Sequence, residues 1–346
     1  MKKHLATFVF IVLIGVISKG AARSNHEPHS PWACTSFAVY SGSPLYGMNF
    51  DYPEIPVRFT IREFGDLQVF QMEFKDEGGY IPTVGMNSKG LFASSQMLFP
   101  EMPSTPPGGE TLMTLWQLYQ AGLYHHRSVA EVLKLTNEYQ IANSSLTLHN
   151  LFADPSGEAV VVEVINDQEK LTAMIGTYTV MTNFPVSSIQ GQPIDEVEGA
   201  GADRYRMADQ IIQENLDDFQ LDTGLRVLEE SALLGESSTQ ASMVFDPINM
   251  RVYIALDRNF DKIWLVSLKE KTLSTFRGFT SQQTLPLDHR GITEKVMAEM
   301  GLSNPVEQTQ FLDLLLPIAL LSILVLIIWS LRRFARKTPK RTRGSK

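Results

Sequence analysis

One cysteine in 346 residues, Cys34, means that no disulfide can form within this chain. Whatever folds must therefore be held by a hydrophobic core. The length allows one large or two medium domains, and 44% hydrophobic with 20% charged residues supplies such a core. In a chain exported to an oxidising compartment, a lone thiol is either a hazard or a tool.

The ends of the sequence point to export. After Met1-Lys2-Lys3 an apolar run from Leu5 to Ile17 leads to Gly20-Ala21-Ala22, the layout of a secretory signal, with cleavage expected after Ala22. A helix of that run reaches about 20 Å, short of the roughly 30 Å hydrocarbon core, so residues 1–22 read as a signal peptide. Near the other end, Leu314 to Leu331 is apolar apart from Pro317, Ser322 and Ser330, and runs into Arg332, Arg333, Arg336, Lys337, Lys340, Arg341, Arg343 and Lys346. That predicts one membrane helix at 312–331 and a basic cytoplasmic tail at 332–346, with the body on the opposite side of the membrane. The net charge of −8 then understates how acidic the exported body is, and nothing in it points to nucleic acid.

Residues 23–33 carry Pro28 and Pro31 without apolar periodicity and read as a linker or propeptide, easily clipped. From Cys34 the pattern becomes strand-like: a hairpin turns at Ser41-Gly42-Ser43-Pro44, and further strands are expected near 57–63, 67–74, 80–86 and 90–97. Helical spacing at 111–124 and 128–140 precedes strands near 146–153, 158–165, 170–175 and 178–182. Helices at 202–214 and 221–234 and strands at 241–246, 250–256 and 263–268 complete a body over 34–280. This order predicts an α+β layered domain and not a parallel βαβ sheet. Residues 281–311 read as a juxtamembrane linker with a short helix at 293–300.

Cys34 has three readings. A lipid-attachment site fits poorly with Pro31-Trp32-Ala33 before it, and an inert buried cysteine is the usual fate of a single thiol. The third, a nucleophile, needs a base. His125 and His126 sit at a helix end and His289 in the expected linker, which leaves His149, mid-strand in Leu148-His149-Asn150-Leu151, as a partner in a Cys/His pair or as a core histidine. A second solution needs no histidine. If the chain is cut before Cys34, the new α-amine, with a reference pKa near 8, is itself the base.

The motifs then become specific. Ala33-Cys34-Thr35-Ser36-Phe37 followed by Tyr46-Gly47-Met48-Asn49-Phe50-Asp51-Tyr52 resembles the opening of the N-terminal nucleophile hydrolases of the choloylglycine hydrolase and penicillin V acylase type, the linear amide C–N hydrolases. The likeness continues through Asn87-Ser88-Lys89-Gly90-Leu91, Met181-Thr182-Asn183-Phe184-Pro185, Asp203-Arg204-Tyr205-Arg206 and Thr239-Gln240-Ala241-Ser242-Met243, covering roughly 34–270 in order. The resemblance implies a four-layer αββα sandwich that cleaves a linear, non-peptide amide of a small N-acyl substrate through a Cys34 thioester. It further implies that Asp51 holds the terminal amine, that Asn183 and the backbone N–H of Met97 stabilise the oxyanion, and that Arg204 stabilises charge near the nucleophile. Taken alone, Asp51 reads equally as a turn residue before Pro53, Asn183 as a strand end, and Arg204 as a surface pair.

One departure stands out: Met48 occupies a position where bile salt hydrolases carry an arginine, which argues against assuming a bile salt substrate. Acyl transfer, a Cys34/His149 thiol hydrolase and an inactive membrane-anchored binding protein of the same fold are the alternatives. No cofactor motif is present: Gly199-Ala200-Gly201 lacks the third glycine of a dinucleotide loop, and no Cys/His cluster suits a metal.

Overall fold

Buried segments dominate the secondary structure from the first described residue onward. The computed structural model describes residues 33–102 and 111–302. The expected signal peptide, all of the 23–33 segment except Ala33, the expected membrane span at 312–331 and the basic tail lie outside the described residues. Among those described, no helix is long and apolar enough to cross a membrane.

Six strands come first: β1 (Ala33–Val39), β2 (Leu45–Asp51), β3 (Val57–Phe64), β4 (Leu67–Asp76), β5 (Gly79–Asn87) and β6 (Phe92–Met97). A short strand, β7 (Leu112–Thr114), leads into α1 (Leu115–His125) and α2 (Val129–Glu138), and β8 (Gln140–Ala142) pairs with β7 in parallel. Four strands follow, β9 (Leu148–Ala153), β10 (Ala159–Ile165), β11 (Gln168–Ala173) and β12 (Tyr178–Met181), then α3 (Ala202–Glu214) and α4 (Leu221–Glu230). The remainder is β13 (Thr239–Asp246), β14 (Arg251–Leu256), β15 (Ile263–Ser267), β16 (Thr272–Arg277), β17 (Thr284–Pro286), β18 (Ile292–Thr293) and α5 (Glu294–Leu302).

These strands form two eight-stranded sheets, ordered β12-β1-β2-β13-β14-β15-β16-β17 and β11-β10-β9-β6-β5-β4-β3-β18. Every ladder in them is antiparallel. Along β1 the side chains alternate between two apolar layers. Cys34 and Ala38 join Tyr46, Met48, Phe50, Phe70, Phe92 and Phe245 between the sheets. Phe37 and Val39 instead pack with Ala208, Ile212, Leu225 and Leu228 of α3 and α4. The other sheet presents Val69, Ala93, Phe152 and Val162 to Leu118, Leu123 and Val132 of α1 and α2. The layers are therefore helices, sheet, sheet, helices, and a strand covered on both faces must be apolar almost throughout.

Local signals place the helices. Thr114 and Gln117 cap α1 reciprocally, and the Ser128 side chain accepts from the Glu131 N–H at the start of α2. The helical periodicity expected from residue 111 begins only at Leu115, because 112–114 pair with β8. Within the segment read from sequence as a linker with a short helix at 293–300, residues 284–286 and 292–293 instead extend both sheets, and the helix is α5. β17 pairs with β16, β18 pairs with β3, and Met297 and Met300 of α5 pack into the layer between the sheets. Short strands with little alternation, such as Thr284–Pro286, carry too weak a period to be seen in sequence.

Gly47 keeps the hairpin that carries Cys34 closed. It lies opposite Phe37 in the β1–β2 ladder, and a Cβ on it would stand 2.2 Å from the Phe37 ring. Gly47→Ala should therefore destabilise the fold by about 1–3 kcal/mol through overpacking, measured by urea unfolding. An unchanged midpoint would contradict this packing.

Candidate active site

Cys34 is the second residue of β1 and is almost fully buried at the end of its strand. The residue before it, Ala33, is paired with Asp51 across the β1–β2 ladder, which brings the carboxylate to the same end of the hairpin. The nitrogen of Cys34 donates to Asn183 Oδ1 at 3.0 Å. Its carbonyl accepts from Arg204, which also donates to Thr35 Oγ1 at 2.9 Å and to Asn183 Oδ1 at 2.6 Å. Arg204 Nη1 lies 3.5 Å from Asp51 Oδ2, and Thr239 Oγ1 donates to the other Asp51 oxygen. Four of the residues named by resemblance, Cys34, Asp51, Asn183 and Arg204, thus meet in one cluster.

The fifth, Met97, joins through Asn183. Asn183 Nδ2 donates to the Met97 carbonyl at 2.7 Å. Because Leu98 N–H donates to Thr147 O at 3.0 Å, the adjoining Met97/Leu148 position is a non-hydrogen-bonded pair of the β6–β9 ladder. The N–H and carbonyl of Met97 consequently face away from β9, on the side where Asn183 stands. Two donors on Oδ1 and one acceptor on Nδ2 fix the orientation of the Asn183 amide and leave one N–H of the side chain uncommitted.

Gly201 has φ 80° and precedes α3, and a Cβ there would lie 2.4 Å from the Arg204 guanidinium. This glycine, rejected in sequence as part of a dinucleotide loop, clears the path of a buried arginine.

Burial sets the protonation states. It pushes the Cys34 thiol up to about 12, helped by the Asp51 charge and opposed by a hydrogen bond to the Asp51 backbone and by Arg204. The thiol is therefore neutral near pH 7 and needs a base to react. Burial likewise raises Asp51 to about 7, against the pull of Arg204 and Thr239. Beside this cluster opens a cavity of about 380 Å³ lined by Cys34, Phe50, Asp51, Tyr52, Phe74 and Met97, among others.

His149 does not line that cavity. Its Nδ1 faces Glu163 Oε1 at 3.2 Å, both side chains being completely buried. Glu163 in turn accepts the N–H groups of Val186 (2.7 Å) and Ser187 (3.0 Å), in the turn that follows Asn183-Phe184-Pro185. Burial alone would raise the Glu163 carboxyl, but His149 and these two N–H groups hold it below its ordinary value. The histidine offered by sequence as a partner for the thiol is placed instead against a carboxylate that secures the Asn183 segment. Sequence reading missed Glu163, Thr35 and Thr239. A signal for the first was present, a single charge inside the apolar run Ala159–Val164. Glu163→Gln should keep Cys34 reactive toward iodoacetamide while lowering turnover by up to about 100-fold, the scale of a small misplacement of an active-site group. Equal losses in labelling and turnover would show that Glu163 serves only folding.

The sequence profile of the linear amide C–N hydrolases, choloylglycine hydrolase family, matches residues 69–223. No curated protein matches the chain. Among solved structures, a mutant of the conjugated bile acid hydrolase from Clostridium perfringens has a similar fold, with a TM-score of 0.56 and 17% identity over 74% of this chain and 97% of that one. A second variant of that hydrolase gives 0.56 and 18% over 74% and 99%. Penicillin V acylase from Agrobacterium tumefaciens gives 0.55 and 16% over 75% and 100%. At these identities the structures speak for the fold, an α+β sandwich of the N-terminal nucleophile hydrolase kind. Residues 69–223 are therefore similar to the choloylglycine hydrolase family of linear amide C–N hydrolases, and the described fold is similar to that of the bile acid hydrolase and the penicillin V acylase.

Proposed function

We propose that this enzyme hydrolyses a linear N-acyl amide through a thioester on Cys34, with the α-amine of Cys34 as the base, once the residues before it have been removed. One observation carries the reading. The Cys34 nitrogen is hydrogen-bonded to Asn183 Oδ1, and Arg204, which donates to the Cys34 carbonyl, is paired with Asp51, so a free amine at Cys34 has an acceptor in contact and a carboxylate one residue further out. A neutral thiol with a pKa near 12 is then deprotonated as it attacks the carbonyl.

The negative oxygen formed in that attack meets the uncommitted Asn183 N–H and the Met97 N–H, donors preorganised before the reaction. Arg204 supports the site without reaching the substrate oxygen, since its guanidinium is engaged with Cys34 O, Thr35 and Asn183. Collapse of the intermediate breaks the C–N bond, the amine leaves with a proton, and water attacks the thioester to release the acid. Capture of the thioester by another amine would make the same enzyme an acyltransferase. The leader at 1–22 and the apolar segment at 312–331 support an exported catalytic body tethered by one C-terminal span.

Two measurements test the chemistry. A quenched reaction with a panel of N-acyl amides whose amine halves are cationic, neutral and anionic should trap an acyl group on Cys34 by intact mass with at least one of them, and Cys34→Ala should abolish both adduct and turnover. Asn183→Ala should lower turnover by about 10²–10³-fold, as loss of one oxyanion donor does elsewhere, with the thiol still open to labelling. Unchanged turnover would remove Asn183 from the oxyanion site.

A further inference from the structure

The cavity beside Cys34 joins stacked aromatic rings to carboxylates. Phe50, Tyr52 and Phe74 line it as a cluster, with ring centroids 5.6 Å (Phe50–Tyr52), 5.6 Å (Phe50–Phe74) and 5.4 Å (Tyr52–Phe74) apart. Trp116, half-buried, also lines the cavity. The charged residues of the lining are Asp51 and Asp76. Asp51 is fully buried and faces Arg204, so its charge is largely balanced within the site. Asp76 is exposed at the end of β4, and its field reaches Tyr52, whose hydroxyl is raised by burial and then by the Asp76 charge.

Aromatic faces with a carboxylate at the rim attract organic cations and tolerate neutral groups. An anionic group entering the same cavity meets Asp76, and the described lining holds no lysine, arginine or histidine to offset it. Met48, on the same face of β2 as Phe50, adds an uncharged side chain to the layer between the sheets. The apolar remainder, including Ile81, Met97, Leu146 and Leu148, suits an acyl group.

From this charge distribution we infer that the preferred substrate joins an apolar acyl group to a cationic or neutral amine, with amides of amino acids or amino sulfonates disfavoured. The inference rests on reading this cavity as the substrate site of Cys34. Asp76 is its specificity-determining residue, acting by charge on the amine half.

The test uses the exported form of the enzyme and two matched series, phenylacetyl and decanoyl amides of 1,4-diaminobutane, ethanolamine and glycine. The cationic and neutral amides should exceed the glycine amide in kcat/KM by about 10-fold or more, the scale of one partly exposed charge contact. The gap should shrink in high salt, narrow in Asp76→Asn and reverse in Asp76→Lys. A glycine amide cleaved as fast as the others, or an order unmoved by Asp76→Lys, would overturn the inference. If neither series is cleaved, the hydrolytic reading fails, and the charge preference is read separately by protection of Cys34 from iodoacetamide. The diamine compounds should then protect at lower concentration than the glycine compounds, and equal protection would refute the preference.

Discussion

The side-chain amide of Asn183 is the contact on which the geometry of the site depends. Its oxygen takes the Cys34 N–H and the Arg204 guanidinium, and its nitrogen reaches the Met97 carbonyl. Cys34 belongs to one sheet and Met97 to the other. One amide therefore links Cys34 to the Met97 backbone across a layer between the sheets that is otherwise mostly apolar. Burial makes such bonds strong and makes their loss costly, because each freed partner would remain unpaired away from water.

Around this contact the fold adds supports of two kinds. Apolar supports are steric: Gly47 admits the Phe37 ring, and Gly201 admits the arginine. Polar supports are buried bonds, with Glu163 holding the turn after Asn183, and Gln96 donating to Ser36 on β1. His149 belongs to this second group. Its partner is Glu163, and it does not line the cavity beside Cys34.

Much of this was legible in sequence because the relevant signals are local. Strand-like runs, turn residues and helical spacing located most strands and all the main helices, and the motif order brought Cys34, Asp51, Asn183 and Arg204 forward together. What stayed hidden is long-range. Thr239 opens one of the motifs, but its bond to Asp51 spans 188 positions, and nothing local marks that contact. The pairing of 284–286 and 292–293 with opposite sheets is likewise invisible, since such short strands gain their identity from a partner. Glu163 shows the intermediate case, a charge whose oddity within an apolar strand is visible while its purpose is not.

The account stands on the nitrogen of Cys34 becoming a free amine, and the most direct measurement is the N-terminal sequence of the purified, active protein. It should begin Cys-Thr-Ser-Phe. Full activity in protein that still carries Ala33 or anything before it would contradict the mechanism, because an amide nitrogen cannot take the proton from the thiol.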